Sequence, residues 1–153
     1  MRLLLVSACL AGINCRYQGD SRPVEKIMKL VAEGRAVPVC PEQLGGLTTP
    51  RIPAQITTGD GSDVIDGRSG VVAEDGTDVT AEFIRGALET LEIARLICAE
   101  FAILKQRSPS CGCGQISRDD EVVEGMGVTA ALLKRESFEV ISDEEYVLGD
   151  QEA

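Results

Sequence analysis

A short apolar strand, an amphipathic helix and a second strand fill the first part of the chain, and this order constrains the fold most. The run 3–6 (LLLV) is typical of a buried parallel strand. Apolar residues at helical spacing follow Pro23, which suits the first turn of a helix, and Gly34 ends the pattern. The segment 36–40 (AVPVC) predicts the second strand, which Pro41 ends. A β-α-β order predicts two parallel strands joined by a right-handed crossover.

The rest of the chain continues this alternation. We predict a long helix over 80–100, with its first residue as the N-cap and Cys98 on its buried face. Strands follow over 101–105 and 138–142, with a short helix from Thr129 between them. The sequence therefore predicts an α/β fold in three layers: a Rossmann-like parallel sheet of about four strands, with 2-1-3-4 as the simplest order.

The segment 41–79 is rich in Gly, Pro, Thr and Asp and interrupts this pattern. Two alternating stretches, 63–67 and 69–74, lie between turn signals and predict a β-hairpin insertion. The insertion is too short for a core of its own, so we expect residues 1–153 to form a single domain. The polar residues between the loop after the third strand and Gly127 are predicted as further loop.

Composition excludes several kinds of function. The chain contains no histidine, which removes histidine-based triads and metal sites. Its net charge of −10 argues against broad binding to nucleic acid. The apolar N-terminal run is too short for a signal peptide or a membrane span, so we expect a cytoplasmic protein with reduced thiols. The loop after the first strand lacks the G-x-G-x-x-G motif of dinucleotide-binding proteins.

Three cysteines fall at one predicted edge of the sheet. Cys9 closes the first strand, Cys40 closes the second, and Cys111 lies in the loop after the third. Because the carboxyl ends of parallel strands meet at one edge, we expect these thiols to converge. Soft sulfur ligands favour zinc or an iron–sulfur cluster, and a fourth ligand without histidine is another cysteine, a carboxylate or none. Three reduced, partly buried thiols without a metal are the simpler alternative.

Three segments resemble one family, first catalogued as domain of unknown function 523 (DUF523), part of which is described as thiouracil desulfidases. They are 7–17 (SACLAGINCRY), 39–51 (VCPEQLGGLTTPR) and 104–115 (LKQRSPSCGCGQ), and the resemblance extends over nearly the whole chain. It implies a [4Fe-4S] cluster with one open iron, whose three cysteine ligands carry over to Cys9, Cys40 and Cys111. It also implies non-redox desulfuration of a thiolated pyrimidine of the thiouracil or thiouridine type, in which the open iron binds the sulfur and water replaces it. The acidic charge favours a small free substrate over tRNA.

Other residues acquire roles under this reading. Glu42 lies two residues after Cys40, and a carboxylate is the natural base in a chain without histidine, although it also suits a helix or turn cap. Of the two serines beside Cys111, the resemblance favours Ser108 as the catalytic one. Candidate substrate-binding residues are Ser7, Lys105 and Ser110. Glycines near the ligands are expected to let the backbone approach a cluster closely, namely Gly45, Gly46, Gly112 and Gly114.

Two other classes of function stay open on the sequence. The first is a non-catalytic iron–sulfur or zinc module that senses redox state or binds a partner. The second is a dithiol oxidoreductase that uses Cys111 and Cys113, which is weaker because a C-x-x-C motif at a helix start is absent. Cys15 is an alternate ligand or a pocket residue, and Cys113 is most simply loop filler. Arg51 and Arg107 are salt-bridge residues or substrate contacts.

Overall fold

Strands and helices alternate along residues 2–149, the part of the chain that this computed structural model describes. In chain order the elements are β1 (Leu4–Ser7), α1 (Glu25–Ala32), β2 (Ala36–Val39), α2 (Pro41–Leu44), β3 (Ala54–Ile56), α3 (Gly61–Ile65), β4 (Val71–Ala73), α4 (Thr80–Leu96), β5 (Phe101–Leu104), β6 (Cys113–Arg118), β7 (Glu121–Met126), α5 (Val128–Arg135), β8 (Glu139–Ser142) and α6 (Asp143–Leu148). A 3₁₀ turn, Ala8–Ala11, follows β1. Within these residues, no helix combines the length and apolar character that a bilayer span requires.

Four strands form a parallel sheet in the order β2-β1-β5-β8. These are the four strands predicted from the apolar runs, and their order is the predicted 2-1-3-4. β1 is buried along its whole length, and its Leu5 and Val6 pair with Ala102 and Ile103 of β5. Burial on both faces explains why this strand reads as a continuous apolar run rather than an alternating one.

Helices cover both faces of the sheet, so the three-layer Rossmann-like prediction is confirmed. Leu4 and Val6 of β1 pack in one core with Ile27 of α1. Leu5, which points the opposite way, packs in a second core with Phe83 of α4. Successive side chains of a strand face opposite sides, and both sides are apolar here because each supports a helical layer.

The predicted insertion is present, but its first strand lies earlier in the chain than expected. β3 pairs with β4 in an antiparallel hairpin, whereas part of the stretch 63–67 belongs to α3. A capping box explains the helix: Asp60 accepts a hydrogen bond from the backbone N–H of Ser62 (3.0 Å), and Asp63 accepts one from the N–H of Asp60 (2.9 Å). The alternation of apolar residues in this short stretch misled the prediction, because the caps decide its structure.

A second hairpin lies where the sequence predicted loop. β6 and β7 pair over six residues each, and Asp119 and Asp120 form the turn between them with φ of 52° and 62°. A two-residue hairpin turn with positive φ at both positions matches the right-handed twist of its strands. The usual sequence signal is Asn-Gly or Asp-Gly, so an Asp-Asp turn between polar strands escaped prediction.

The long helix is shorter than predicted at its C-terminal end. α4 starts at Thr80, with Val79 rather than Thr80 as the N-cap, and it ends at Leu96. Cys98 follows with φ of 50° and is exposed, so the prediction that it lies in the core was wrong. The chain leaves the helix at this point because it must turn to enter β5 three residues later.

Candidate active site

A cavity of about 1370 Å³ opens at the carboxyl edge of the parallel sheet. Its walls come from the ends of β1, β2 and β5 and from the two hairpins. The hairpins meet on the rim, where the side chain of Gln55 exchanges two hydrogen bonds of 2.8 Å with Asp119. This edge is where open α/β sheets bind ligands, because the loops there can vary while the sheet stays fixed.

The three candidate ligands all line this cavity. Cys9 lies in the 3₁₀ turn after β1, Cys40 is the N-cap of α2, and Cys111 lies in the loop after β5. All three are buried, with exposed fractions of 7%, 9% and 4%. The topology therefore brings them to one cavity, as the sequence predicts.

Both the spacing and the chemistry of these thiols decide whether they suit a cluster. Within residues 2–149, no three Cys, Asp or Glu side chains already surround a single metal position. A cubane cluster spaces its cysteines more widely, because each thiolate binds a different iron. The fit therefore depends on one shared cavity lined by free thiols and not on a closed cage for one ion.

Burial disfavours the charged form of two of these thiols. It raises the pKa of Cys9 to about 11, with the charge of Lys105 acting in the opposite direction. It also raises the pKa of Cys111 well above its usual range, while hydroxyls of Ser110 and Ser7 lower it in part. Thiolates in such a place need a positive partner, which the irons of a cluster provide, so the residues present fit the group.

Cys15 is a fourth buried thiol in the cavity. Its thiol hydrogen-bonds to Cys40, which lowers the pKa of Cys40 and raises that of Cys15. The sulfur of Cys40 also lies 3.7 Å from the carbonyl oxygen of Cys15. Cys15 is thus a cavity residue in contact with one candidate ligand.

Glu42 lies in the first turn of α2, which Pro41 starts. Its Oε1 accepts a hydrogen bond of 2.9 Å from the hydroxyl of Ser110 and lies 3.9 Å from the sulfur of Cys40. Its Oε2 lies 3.7 Å from Nη2 of Arg51. The short helix therefore places a mostly buried carboxylate between a candidate ligand, a serine and an arginine.

The two serines beside Cys111 have different surroundings. Ser108 lines the cavity, and its hydroxyl accepts hydrogen bonds of 3.2 Å from the backbone N–H groups of Ser110 and Cys111. Ser110 is only 1% exposed, and its hydroxyl donates to Glu42 and lies 3.5 Å from the sulfur of Cys111. Ser108 therefore shapes the loop after β5, which carries Cys111, and faces the cavity. Ser110 makes the direct contact with Glu42.

Ser7 and Lys105 join the ends of two adjacent strands. The hydroxyl of Ser7 accepts a hydrogen bond of 2.9 Å from the backbone N–H of Lys105. The ammonium of Lys105 donates to the carbonyl of Gln106 at 3.2 Å, and both Ser7 and Lys105 line the cavity. This pair lies between Cys9 and the loop that carries Cys111.

Two sets of hydrogen bonds that fix the loop carrying Cys111 were not predicted. The N-terminus of α5 donates backbone hydrogen bonds to the carbonyls of Pro109 (2.9 Å) and Ser110 (2.8 Å). The buried side chain of Gln106 accepts one of 2.8 Å from the N–H of Cys113. The sequence offers little signal for either, because both depend on contacts formed only in the folded chain.

Gly45 was expected to let the backbone approach a cluster, but in the structure it allows close packing of two helices. A Cβ at Gly45 would lie 2.0 Å from the carbonyl oxygen of Glu82, and a Cβ at Gly86 would lie 2.0 Å from that of Pro41. These glycines therefore let α2 pack backbone to backbone against α4. Gly112 allows a close approach within its own loop, to the carbonyl of Gln115 at 2.2 Å.

Cys113 and Arg107 are engaged in contacts of their own. The sulfur of Cys113 lies 3.3 Å from the carbonyl oxygen of Cys111, and burial raises its pKa to about 12. Arg107 forms an ion pair with Glu144 and a hydrogen bond of 3.0 Å with Gln115. Arg107 thus forms a salt bridge and also lines the cavity, and a protonated Cys113 is a poor redox partner.

Comparison with known proteins places the chain in a family. The family described as 2-thiouracil desulfurase matches residues 4–145. The chain belongs to this family. It is 49% identical over 146 residues to the uncharacterised protein YbbK of Bacillus subtilis (strain 168), covering 94% of this chain and 97% of that protein.

A solved structure gives a consistent result. It is that of the [4Fe-4S]-dependent thiouracil desulfidase TudS, which is 40% identical and superimposes with a TM-score of 0.86. The match covers 97% of this chain and 95% of that one. The resemblance to DUF523 and the predicted fold class are both confirmed by these two findings.

Proposed function

We propose that the chain is a [4Fe-4S]-dependent desulfidase that acts on a thiolated pyrimidine of the thiouracil or thiouridine type. The reaction replaces the sulfur of a thiocarbonyl by the oxygen of water and releases sulfide, with no net oxidation or reduction. Membership of the 2-thiouracil desulfurase family and the likeness to a [4Fe-4S]-dependent thiouracil desulfidase support this proposal. Three buried thiols and a carboxylate around one cavity carry it.

Cys9, Cys40 and Cys111 are the residues assigned to hold the cluster. A cluster with three cysteine ligands supplies one iron without a protein ligand, which polarises a thiocarbonyl sulfur as a Lewis acid. Cys15 stays outside this set, and its carbonyl oxygen lies 3.7 Å from the sulfur of Cys40. These three thiols are buried and line the cavity, which would be the way in for substrate.

Glu42 is the proposed general base. A water that attacks the ring carbon must lose a proton, and a carboxylate within hydrogen-bond reach accepts it. Ser110 holds one oxygen of that carboxylate, which limits the directions from which water can approach it. Ser108, whose hydroxyl lines the cavity, is assigned to orient the water or the substrate.

Lys105, Ser7 and Ser110 are the proposed substrate-binding residues. The ammonium of Lys105 donates to a carbonyl oxygen of its own chain, and the same group suits the oxygen of a pyrimidine ring. Ser7 lines the cavity beside it, whereas Ser110 is buried and its hydroxyl donates to Glu42. A small free molecule fits this assignment better than tRNA, because a net charge of −10 repels a phosphate backbone.

The compartment follows from the cofactor chemistry. All six cysteines are free thiols, and an iron–sulfur cluster with an open iron needs reducing surroundings. We therefore propose a cytoplasmic protein.

Anaerobic reconstitution followed by a substrate panel tests the proposal. The purified chain is loaded with iron and sulfide, desalted, and analysed for both elements and for visible absorbance. It is then incubated with 2-thiouracil, 4-thiouracil and the corresponding thiouridines. We expect about four irons per chain, with release of sulfide and of the oxygenated pyrimidine from at least one compound.

The controls separate this proposal from its alternatives. Glu42→Gln, loaded in the same way, is expected to keep its iron and lose turnover, because only the proton acceptor is removed. A loaded chain that releases no sulfide from any compound contradicts the proposal and favours a non-catalytic cluster protein. Cys113→Ala is expected to retain turnover, and its loss would instead favour a dithiol mechanism.

A further inference from the structure

Arg51 lies beside the carboxylate of Glu42 in the cavity. Its Nη2 is 3.7 Å from Oε2 of Glu42, and the two side chains are only 11% and 14% exposed. Loose surface ion pairs contribute little, but this pair is largely enclosed by protein. Loss of one partner would leave the other as a charge without a counterpart in that enclosed place.

The guanidinium of Arg51 is fixed independently of Glu42. Its Nη1 donates hydrogen bonds to the carbonyl of Thr48 (3.2 Å) and to the hydroxyl of Thr49 (2.9 Å). The Thr49 hydroxyl also accepts one of 2.8 Å from the side chain of Gln43, the neighbour of Glu42 on α2. The segment after α2 therefore folds back and presents one end of a rigid, planar group to the carboxylate.

The carboxylate is thus held from two sides. Oε2 faces Arg51, while Oε1 accepts the hydroxyl of Ser110 and lies near the sulfur of Cys40. Because both oxygens have a polar partner, rotation of the carboxylate about the Cγ–Cδ bond is restricted. We propose that Arg51 is a positioning residue that fixes the orientation of the Glu42 carboxylate for catalysis. This inference rests on the proposed role of Glu42 as the base.

A direct contact between Arg51 and substrate is the competing explanation, and kinetics separate the two. A substrate contact present in the ground state supports binding, so its loss raises KM. A residue that orients the base acts after binding, so its loss lowers kcat and leaves KM nearly unchanged. The two explanations also differ in whether the effect of Arg51 depends on Glu42.

The experiment is a double-mutant cycle on the cluster-loaded enzyme with 2-thiouracil. Arg51→Gln is expected to lower kcat roughly 10- to 100-fold, the scale of a small misplacement of a catalytic group. Arg51→Lys is expected to recover part of that loss, since it keeps the charge without the planar fork. Combined with Glu42→Asp, whose carboxylate no longer reaches the same place, Arg51→Gln is expected to add much less than it costs alone.

Controls make each outcome decisive. Arg22→Gln removes an exposed arginine that pairs with Asp20, and it is expected to leave kcat and KM unchanged. Iron content, cluster absorbance and unfolding temperature are measured for every variant. If Arg51→Gln does not keep its cluster, Arg51→Lys takes its place in the same cycle.

The inference and the proposed function fail in different ways. A rise in KM at constant kcat, or an equal loss of kcat with and without Glu42→Asp, overturns the positioning role of Arg51. If Glu42→Gln itself retains kcat, the assignment of Glu42 as the base is wrong. If no variant and no wild-type enzyme releases sulfide, the proposed function is wrong.

Discussion

Burial separates the cysteines of this chain into two kinds. The thiols around the cavity are shielded from water, and burial raises the pKa of Cys9 and of Cys111. Without a positive partner, Cys9 and Cys111 stay protonated at neutral pH and are poor nucleophiles. Cys98, by contrast, is exposed beyond the end of α4. Cys9 and Cys111 are therefore buried cavity residues and Cys98 is an exposed surface residue, and single substitutions can distinguish the two kinds.

Substitution of single cysteines tests the ligand assignment. We expect Cys9→Ser and Cys111→Ser each to lose most of the iron bound after anaerobic reconstitution, because metal affinity depends on every thiolate. Cys98→Ser is the matched control and is expected to bind as much iron as the wild type. Iron and sulfide analysis gives the readout. Full iron content in either ligand variant would contradict the assignment.

The positions of these thiols could be predicted, but their contacts could not. Cys9 and Cys40 follow strands that are plain in the sequence, and parallel topology then places both at one edge. The ion pair of Arg51 with Glu42 depends on how a loop folds back, which no local pattern encodes. Cys98 was misplaced because helical spacing says nothing about where the helix ends.

The contact between α2 and α4 shows how one element supports another. α2 is a single turn of helix, too short to be stable alone. It packs against α4 through Gly45 and Gly86, each of which faces a backbone carbonyl of the other helix. The long helix, itself packed on the sheet, therefore determines where Glu42 stands.

Gly86→Ala tests this support. A Cβ added there would meet the Pro41 carbonyl at 2.0 Å, so the helices must separate. Alanine favours a helix by about 1 kcal/mol over glycine, but overpacking costs about 1–3 kcal/mol, so we expect net destabilisation and a lower kcat. Glu89→Ala, on the exposed side of α4, is the control and should change neither. Thermal unfolding and steady-state kinetics give the readouts, and an unchanged unfolding temperature in Gly86→Ala would contradict the argument.

Elements with strong apolar patterns were predicted, and those formed by polar contacts were not. The four sheet strands and α5 follow directly from buried runs. α3 and the β6–β7 hairpin depend on aspartates that cap a helix or form a turn, at Asp60, Asp63, Asp119 and Asp120. Such contacts have little hydrophobic signature, because the residues involved are polar.

At the scale of the whole molecule, surface ion pairs tie the insertion to the main body. Asp66, just after α3, accepts hydrogen bonds from Arg135 at the end of α5 (2.9 Å) and from Arg68 (3.2 Å). The hydrogen bond from Arg135 is the main reason that the pKa of Asp66 lies below its usual 3.8. A carboxylate with a lowered pKa in the folded chain stabilises it while ionised.

The pH dependence of unfolding tests this link. The contribution of Asp66 is fully present above about pH 4 and is lost as pH falls through the lowered pKa of the folded state. We expect Asp66→Asn to unfold at a lower temperature than the wild type at neutral pH, with the difference shrinking below about pH 4. Both proteins are measured without cluster, and Glu89→Gln, on the exposed side of α4, serves as a surface control. A difference that is equal at pH 7 and at pH 3 would exclude an electrostatic origin.

The hydrogen bonds between Gln55 and Asp119 lie at the entrance of the cavity, away from the residues proposed for the chemistry. The proposed cluster ligands and the proposed base lie at the ends of β1 and β2, in the loop after β5 and on α2. The entrance is formed by the two hairpins, which are joined there by hydrogen bonds between Gln55 and Asp119. Insertions or deletions in either hairpin can therefore reshape what is admitted while the reactive centre stays intact. Proteins of this fold with different hairpins would then accept different substrates and carry out the same reaction.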